Sequence, residues 1–96
     1  MPSKPAFKVG QTAYLDGRDP QAQPPLTVGR IQLWKGVPRQ KMRNALAHGT
    51  RVVISDRTYC REEKRWYYCV RRGGKQGWLP GVFLSEQREE PIGDVV

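Results

Sequence analysis

The sequence predicts an all-β chain: a small five-stranded barrel with one short helical turn and a disordered C-terminal tail. Three observations lead there. Ten glycines and eight prolines in 96 residues favour many turns and short strands over helices. No stretch keeps a helical period over a full window, whereas Arg65 to Arg72, RWYYCVRR, joins aromatic and β-branched residues without a breaker. Gly73 to Leu84, GGKQGWLPGVFL, then packs a turn, an aromatic, a proline and a second aromatic into twelve residues. Closing such short strands into a barrel removes exposed edges.

Residues 1–7, MPSKPAF, carry two prolines and read as a loose arm before a barrel over 8–85. Lys8 to Leu15 has strand composition. Asp16 to Pro25, DGRDPQAQPP, is a loop by its Asp-Gly, Asp-Pro and Pro-Pro pairs, and its length marks it as functional or mobile. Leu26 to Trp34 reads as one strand, with Ile31 and Leu33 on the apolar face. Lys35 to Arg43 is basic and turn-rich, a loop with at most a helical turn from Gln40 to Leu46. His48-Gly49-Thr50 makes a turn, after which Val52 and Ile54 share one strand face. Arg61 to Arg65, REEKR, is a charged hairpin tip. Gly73, Gly74 and Gly77 suit a tight turn. Trp78 and Leu79 form a strand that Pro80 ends, since proline has no N–H for a ladder. Val82, Phe83 and Leu84 follow a helical turn. Residues 86–96 are polar and acidic and are expected to be disordered.

One domain of this length buries a small core. The net charge is +8. Residues 1–85 hold sixteen Lys or Arg against five acids, a net of +11, and residues 86–96 hold one Arg against four acids, a net of −3. Such a field favours acidic partners, although a basic surface also serves solubility alone. Met1 to Gln11 has no apolar stretch of signal-peptide length and no run approaches a membrane span, so a cytoplasmic chain without a membrane partner is expected. With the hairpin turn near Glu62 to Lys64, Cys60 faces Arg65 and Cys69 faces Asp56. The thiols are then too far apart for a disulfide, as suits a reducing compartment. One histidine, no nucleophile beside a visible base and no metal-ligand spacing argue against an enzyme, a metal or a cofactor.

Three pieces of the second half resemble SH3 domains, closest to the bacterial SH3 type. They are Leu46-x-x-Gly49-x-x-Val52-x-Ile54, the run Trp66-Tyr67-Tyr68-Cys69, and Gly74-x-x-Gly77-Trp78-Leu79-Pro80-x-x-Phe83-Leu84. Together they cover about forty residues, and the last is the most specific. The resemblance implies an SH3-like barrel with Leu46, Val52, Ile54, Cys69, Leu79 and Leu84 pointing inward. It also implies a partner groove built from Trp66, Pro80 and Phe83, with Tyr14 as a further aromatic. Rigid rings of this kind grip an extended peptide at low entropic cost. Trp78 is assigned to packing, as large rings in small barrels usually are. Two departures disfavour a basic proline-rich ligand. Arg18 sits between Asp16 and Asp19 in the loop, and Val82 stands where the family carries a peptide-binding asparagine.

The leading expectation is therefore a non-catalytic module that recognises an acidic or extended segment of a partner protein through an aromatic groove on a basic barrel. A second is a barrel that binds DNA or RNA by phosphate contacts and base stacking. Its contacts would be Arg57, Arg61, Lys64, Arg65, Arg71, Arg72 and Lys75, with Tyr59, Tyr67 and Tyr68 stacking and Arg39, Lys41 and Arg43 adding charge. A third is a cell-wall (peptidoglycan) binding module, common among bacterial SH3 types.

Overall fold

The computed structural model describes residues 4–95, so the first three residues of the expected arm lie outside the described residues. The chain is all-β, as expected, but it carries ten strands in two sheets rather than five, counted among the described residues. They are β1 (Thr12–Leu15), β2 (Arg18–Asp19), β3 (Leu26–Thr27), β4 (Arg30–Gly36), β5 (Gln40–Ala47), β6 (Arg51–Cys60), β7 (Arg65–Arg72), β8 (Lys75–Pro80), β9 (Leu84–Ser85) and β10 (Asp94–Val95). A single 3₁₀ turn, Gly81–Phe83, precedes β9 and is the expected helical turn.

Seven strands form an antiparallel sheet in the order β5-β4-β8-β7-β6-β1-β9. The inner face buries Phe7, Ala13, Leu15, Ile31, Leu33, Leu46, Val52, Ile54, Tyr68, Val70, Leu79 and Leu84 in one cluster. Burying this apolar set is the main force holding the sheet curled. The β6–β7 hairpin pairs Cys60 with Arg65 and Asp56 with Cys69, the expected register, and both thiols are free and buried. Cys69 is not part of the inner cluster, however. Side chains alternate along a strand, so with Tyr68 and Val70 inside, Cys69 and Tyr67 face the other way. They are still buried, because β7 is central in the sheet.

β5 corrects the expected loop and helical turn between Lys35 and Leu46. It pairs with β4 from Arg30 opposite Ala47 to Gly36 opposite Gln40, with a bulge at Leu33/Trp34. Arg39 and Lys41 take positive φ values of 38° and 55° beside the turn. The strand was illegible because it is the sheet's edge: Lys41, Met42 and Arg43 are all exposed, and only Leu46 is buried. Charged residues on such an edge also deter pairing with other chains.

Gly77 plays a different part from the one expected. It lies inside β8, not in the turn, and a Cβ there would stand 2.6 Å from Leu33 Cβ. Its missing side chain lets β4 close against β8. Gly73, by contrast, has φ +58° and does turn the chain.

The smaller sheet, β10-β3-β2, corrects two further expectations. The strand foreseen from Leu26 to Trp34 breaks at Val28 and Gly29. Val28 N–H there donates to Gly17 C=O at 2.8 Å, and Gly29 C=O accepts from His48 N–H at 2.9 Å. Over its described residues the tail is not a disordered end. It folds back, and β10 pairs in parallel with β3. The arm is also docked: Phe7 is buried edge-on against Tyr68 at 5.3 Å, and Ala6 N–H donates to Tyr68 Oη at 2.8 Å. Prolines and charge made both ends look loose, whereas a few specific contacts fix them.

Candidate functional site

The expected aromatic groove is divided. Trp66, near the start of β7, packs against the core and meets Tyr59 edge-on at 5.6 Å. The Arg57 guanidinium lies 5.9 Å from its ring centre and also donates to Phe7 C=O at 2.8 Å. Trp66 lines a hollow of about 180 Å³ with Lys4, Ala6, Arg65, Tyr68, Gly81 and Val82, so the arm forms one wall of it. Phe83 lines a different hollow of about 250 Å³, with Val28, Ile31 and Trp34 and with Arg30 and Arg39. Pro80 is fully buried opposite Tyr67 in the sheet and offers no ligand surface. Tyr14 joins neither hollow.

The basic residues singled out from sequence divide in the same way. Arg57 is engaged as described. Arg65 donates from Nε to Glu63 at 2.7 Å and stacks over the Tyr67 ring at 5.5 Å. Arg61 and Lys64 are exposed at the hairpin tip beside Glu62, and Lys75 is exposed at the start of β8. Arg71 and Arg72 are exposed at the end of β7. Tyr67 and Tyr68 are buried and present no face to a base, which corrects their stacking role. Tyr68 is covered by Phe7, and Tyr67 donates its hydroxyl to Glu63 at 2.6 Å.

A basic surface forms instead where β1, β6 and β7 come together. Antiparallel pairing sets the start of β6 beside the end of β7, with Val53 opposite Arg71, and β1 brings Tyr14 opposite Arg51. One hollow of about 540 Å³ is lined by Tyr14, His48, Gly49, Thr50, Arg51, Arg72 and Arg88. A second, of about 340 Å³, is lined by Arg51, Val52, Val53, Arg71, Arg72 and Gly73. Arg51 and Arg72 belong to both, so the two make one continuous basic strip. Among the described residues, the ion pairs use Arg18, Arg39 and Arg65, leaving Arg51, Arg71, Arg72 and Arg88 without a carboxylate partner. Sequence reasoning named Arg71 and Arg72 but missed Arg51, Arg88 and His48. The hairpin register could have found Arg51, because extending it past Val53 and Arg71 carries Arg51 alongside β7's end.

His48 is held at both nitrogens. Its Nδ1 accepts from Gly17 N–H at 2.9 Å, so Nε2 carries the proton and donates to Glu89 C=O at 2.8 Å. Asp16 lies close by. Burial pushes its carboxyl up, but the Arg18 guanidinium and N–H outweigh this and hold it below the ordinary value. At the hairpin tip, the Tyr67 hydroxyl and then Arg65 hold Glu63 below its ordinary value, despite some desolvation. Burial, then Glu63, pushes Tyr67 up. These shifts belong to structural ion pairs, one near the basic strip and one at the distant hairpin tip, not to the strip's arginines. Among the described residues no cluster of His, Cys, Asp and Glu could hold a metal, and no helix is long and apolar enough to cross a membrane.

Compared with known proteins, the chain matches no family model, no curated protein and no solved structure.

Proposed function

We propose that the chain is a non-catalytic binding module that takes an acidic, extended segment of a partner protein on the strip formed by Arg51, Arg71, Arg72 and Arg88. The observation that carries this reading is the convergence of four exposed arginines, none in an ion pair, on two adjoining hollows. Guanidinium groups left unpaired on a chain of net charge +8 attract carboxylates and can hold them bidentately. We read the scaffold as an SH3-like barrel. The neighbour order β8-β7-β6-β1-β9 supports this, as does the 3₁₀ turn before β9. On that reading, the β4–β5 hairpin and the small sheet enlarge the loop between β1 and β6.

The test is fluorescence anisotropy with a labelled oligoglutamate peptide. Binding at low salt is expected, weakened by about tenfold or more in Arg51→Glu/Arg72→Glu and unchanged in Lys64→Glu at the distant hairpin tip. No binding at low salt, or equal loss in both variants, overturns the reading.

Nucleic acid is the second reading. Arg71 and Arg72, both proposed for phosphate contact from sequence, lie in the strip. Burial of Tyr67 and Tyr68 removes them as stacking platforms and leaves the half-buried Tyr14 as the ring that lines the strip. Preference for a DNA or RNA oligonucleotide over oligoglutamate at matched charge, with a steep salt slope, would select it. Retention on purified peptidoglycan that survives Arg51→Glu/Arg72→Glu would select the cell-wall reading instead.

A further inference from the structure

The C-terminal segment from Glu89 to Val95 is held like a ligand, not like part of the core. Glu89 reaches Arg18 Nη1 at 3.0 Å through its carboxylate and His48 Nε2 at 2.8 Å through its carbonyl. Ile92 N–H donates to Thr27 Oγ1 at 2.7 Å, and that hydroxyl donates to Ile92 C=O at 3.0 Å. Asp94 and Val95 then add to β3 as a parallel strand, opposite Leu26 and Thr27. Gly93 makes the crossing possible. Its φ is +63°, and a Cβ there would collide with the Pro25 carbonyl. The receptor side is built: Thr27 is fully buried, and β2 fixes β3 from its other edge. The docked side is thin. Asp94 and Val95 are exposed and Ile92 is only half-buried. Segments that bury little open at small free-energy cost.

We propose that the β3 edge, with Thr27, Arg18 and His48, is a strand-addition site for an acidic partner segment of the pattern Glu-x-x-apolar-Gly-acidic. The chain's own tail is its displaceable resident. Backbone pairing to β3 gives such a site affinity, and the fixed positions give it specificity. Arg18 selects the glutamate, the Thr27 hydroxyl reads one residue's N–H and C=O, and the Pro25 carbonyl admits only glycine. Residues 86–96, with a net charge of −3, are opposite in sign to residues 1–85, with a net charge of +11. The site deepens the reading of an acidic partner segment, but its Arg18 and Thr27 lie outside the arginine strip and it shares only His48 with the lining of the strip's hollows, so the two can fail separately.

The experiment titrates a labelled peptide of residues 88–96 into the full chain. In Gly93→Ala the resident tail is displaced while every receptor residue stays. The peptide is expected to bind this variant at least about tenfold more tightly than the wild type, because an occupied site reduces apparent affinity by its free fraction. Adding Thr27→Val should abolish that gain, and a peptide with Gly93 replaced by alanine should not bind. Equal affinity for wild type and Gly93→Ala, or binding that survives Thr27→Val, overturns the proposal. If Gly93→Ala does not fold, hydrogen exchange at the Ile92 amide of the wild type decides. Saturating peptide should speed it, and an unchanged rate overturns the proposal. Loss of peptide binding with oligoglutamate binding intact defeats this site alone. The reverse pattern defeats the arginine strip.

Discussion

Single residues decide more of this molecule than their types suggest. Gly77 is the clearest case, since it is flat strand backbone chosen for the Leu33 side chain it admits. Gly77→Ala is expected to destabilise the fold by about 1–3 kcal/mol, the usual cost of overpacking a filled interface, read as a lower urea midpoint at unchanged slope. Gly74→Ala, where a Cβ meets nothing within 4 Å, is the control that should cost much less. Glu63 illustrates charge at the same scale. Its pKa is lowered by the Tyr67 hydroxyl and then Arg65, so the folded state binds its proton less readily than the unfolded chain does. Its contribution is therefore present above the ordinary glutamate pKa of about 4.3 and is lost as pH falls through the folded value. Tm measured from pH 6 down to pH 3 should fall less steeply in Glu63→Gln than in the wild type. Parallel acid limbs would show that Glu63 carries no such linkage.

At the scale of elements, legibility followed burial. β6 was readable because Val52 and Ile54 face the core at period two, and β7 because burial on both faces gives it an unbroken aromatic and β-branched run. The register that separates Cys60 from Cys69 followed from the charged tip alone. β5 was not readable because an edge strand with one buried residue carries no period. β10 and the arm were not readable because their anchors are a few long-range contacts, such as the Thr27 hydroxyl and the Tyr68 ring, that leave no local pattern. For the candidate site the same rule applies. The residues foreseen for an aromatic groove include Pro80, which strand pairing buries, while the arginine strip depends on three strands meeting and had no local signature. The arm carries a measurable consequence. Phe7 is buried against Tyr68 within the main cluster, so Phe7→Ala should cost about 3–5 kcal/mol, as for other buried rings. Lys8→Ala, one exposed position further on, should fall within about 0.5 kcal/mol of wild type in the same urea titration. A near-neutral Phe7→Ala would mean that the arm is an ornament on a core complete without it.

For the whole molecule, the dominant electrostatic fact is imbalance. Residues 1–85 carry sixteen cationic side chains and five carboxylates, and the ion pairs among the described residues draw on Asp16, Glu63 and Glu89 only. Exposed pairs of this kind contribute little, so the uncompensated arginines decide the sign of the salt response. Repulsion among them acts across the surface and is screened once the Debye length falls to about 8–10 Å, near 0.1–0.15 M salt. Tm should therefore rise between 20 mM and 300 mM NaCl, whereas a fold held by its salt bridges would lose stability over that range. On the proposed reading, a polyanion is a stabiliser by mass action, since it would bind the folded strip more strongly than the dispersed charges of the unfolded chain. Oligoglutamate should raise Tm at low salt, and the rise should vanish at 300 mM NaCl and in Arg51→Glu/Arg72→Glu. A rise that persists in that variant would place the anion elsewhere on the surface, and a Tm that falls with salt would show that pairing, not repulsion, governs this charge distribution.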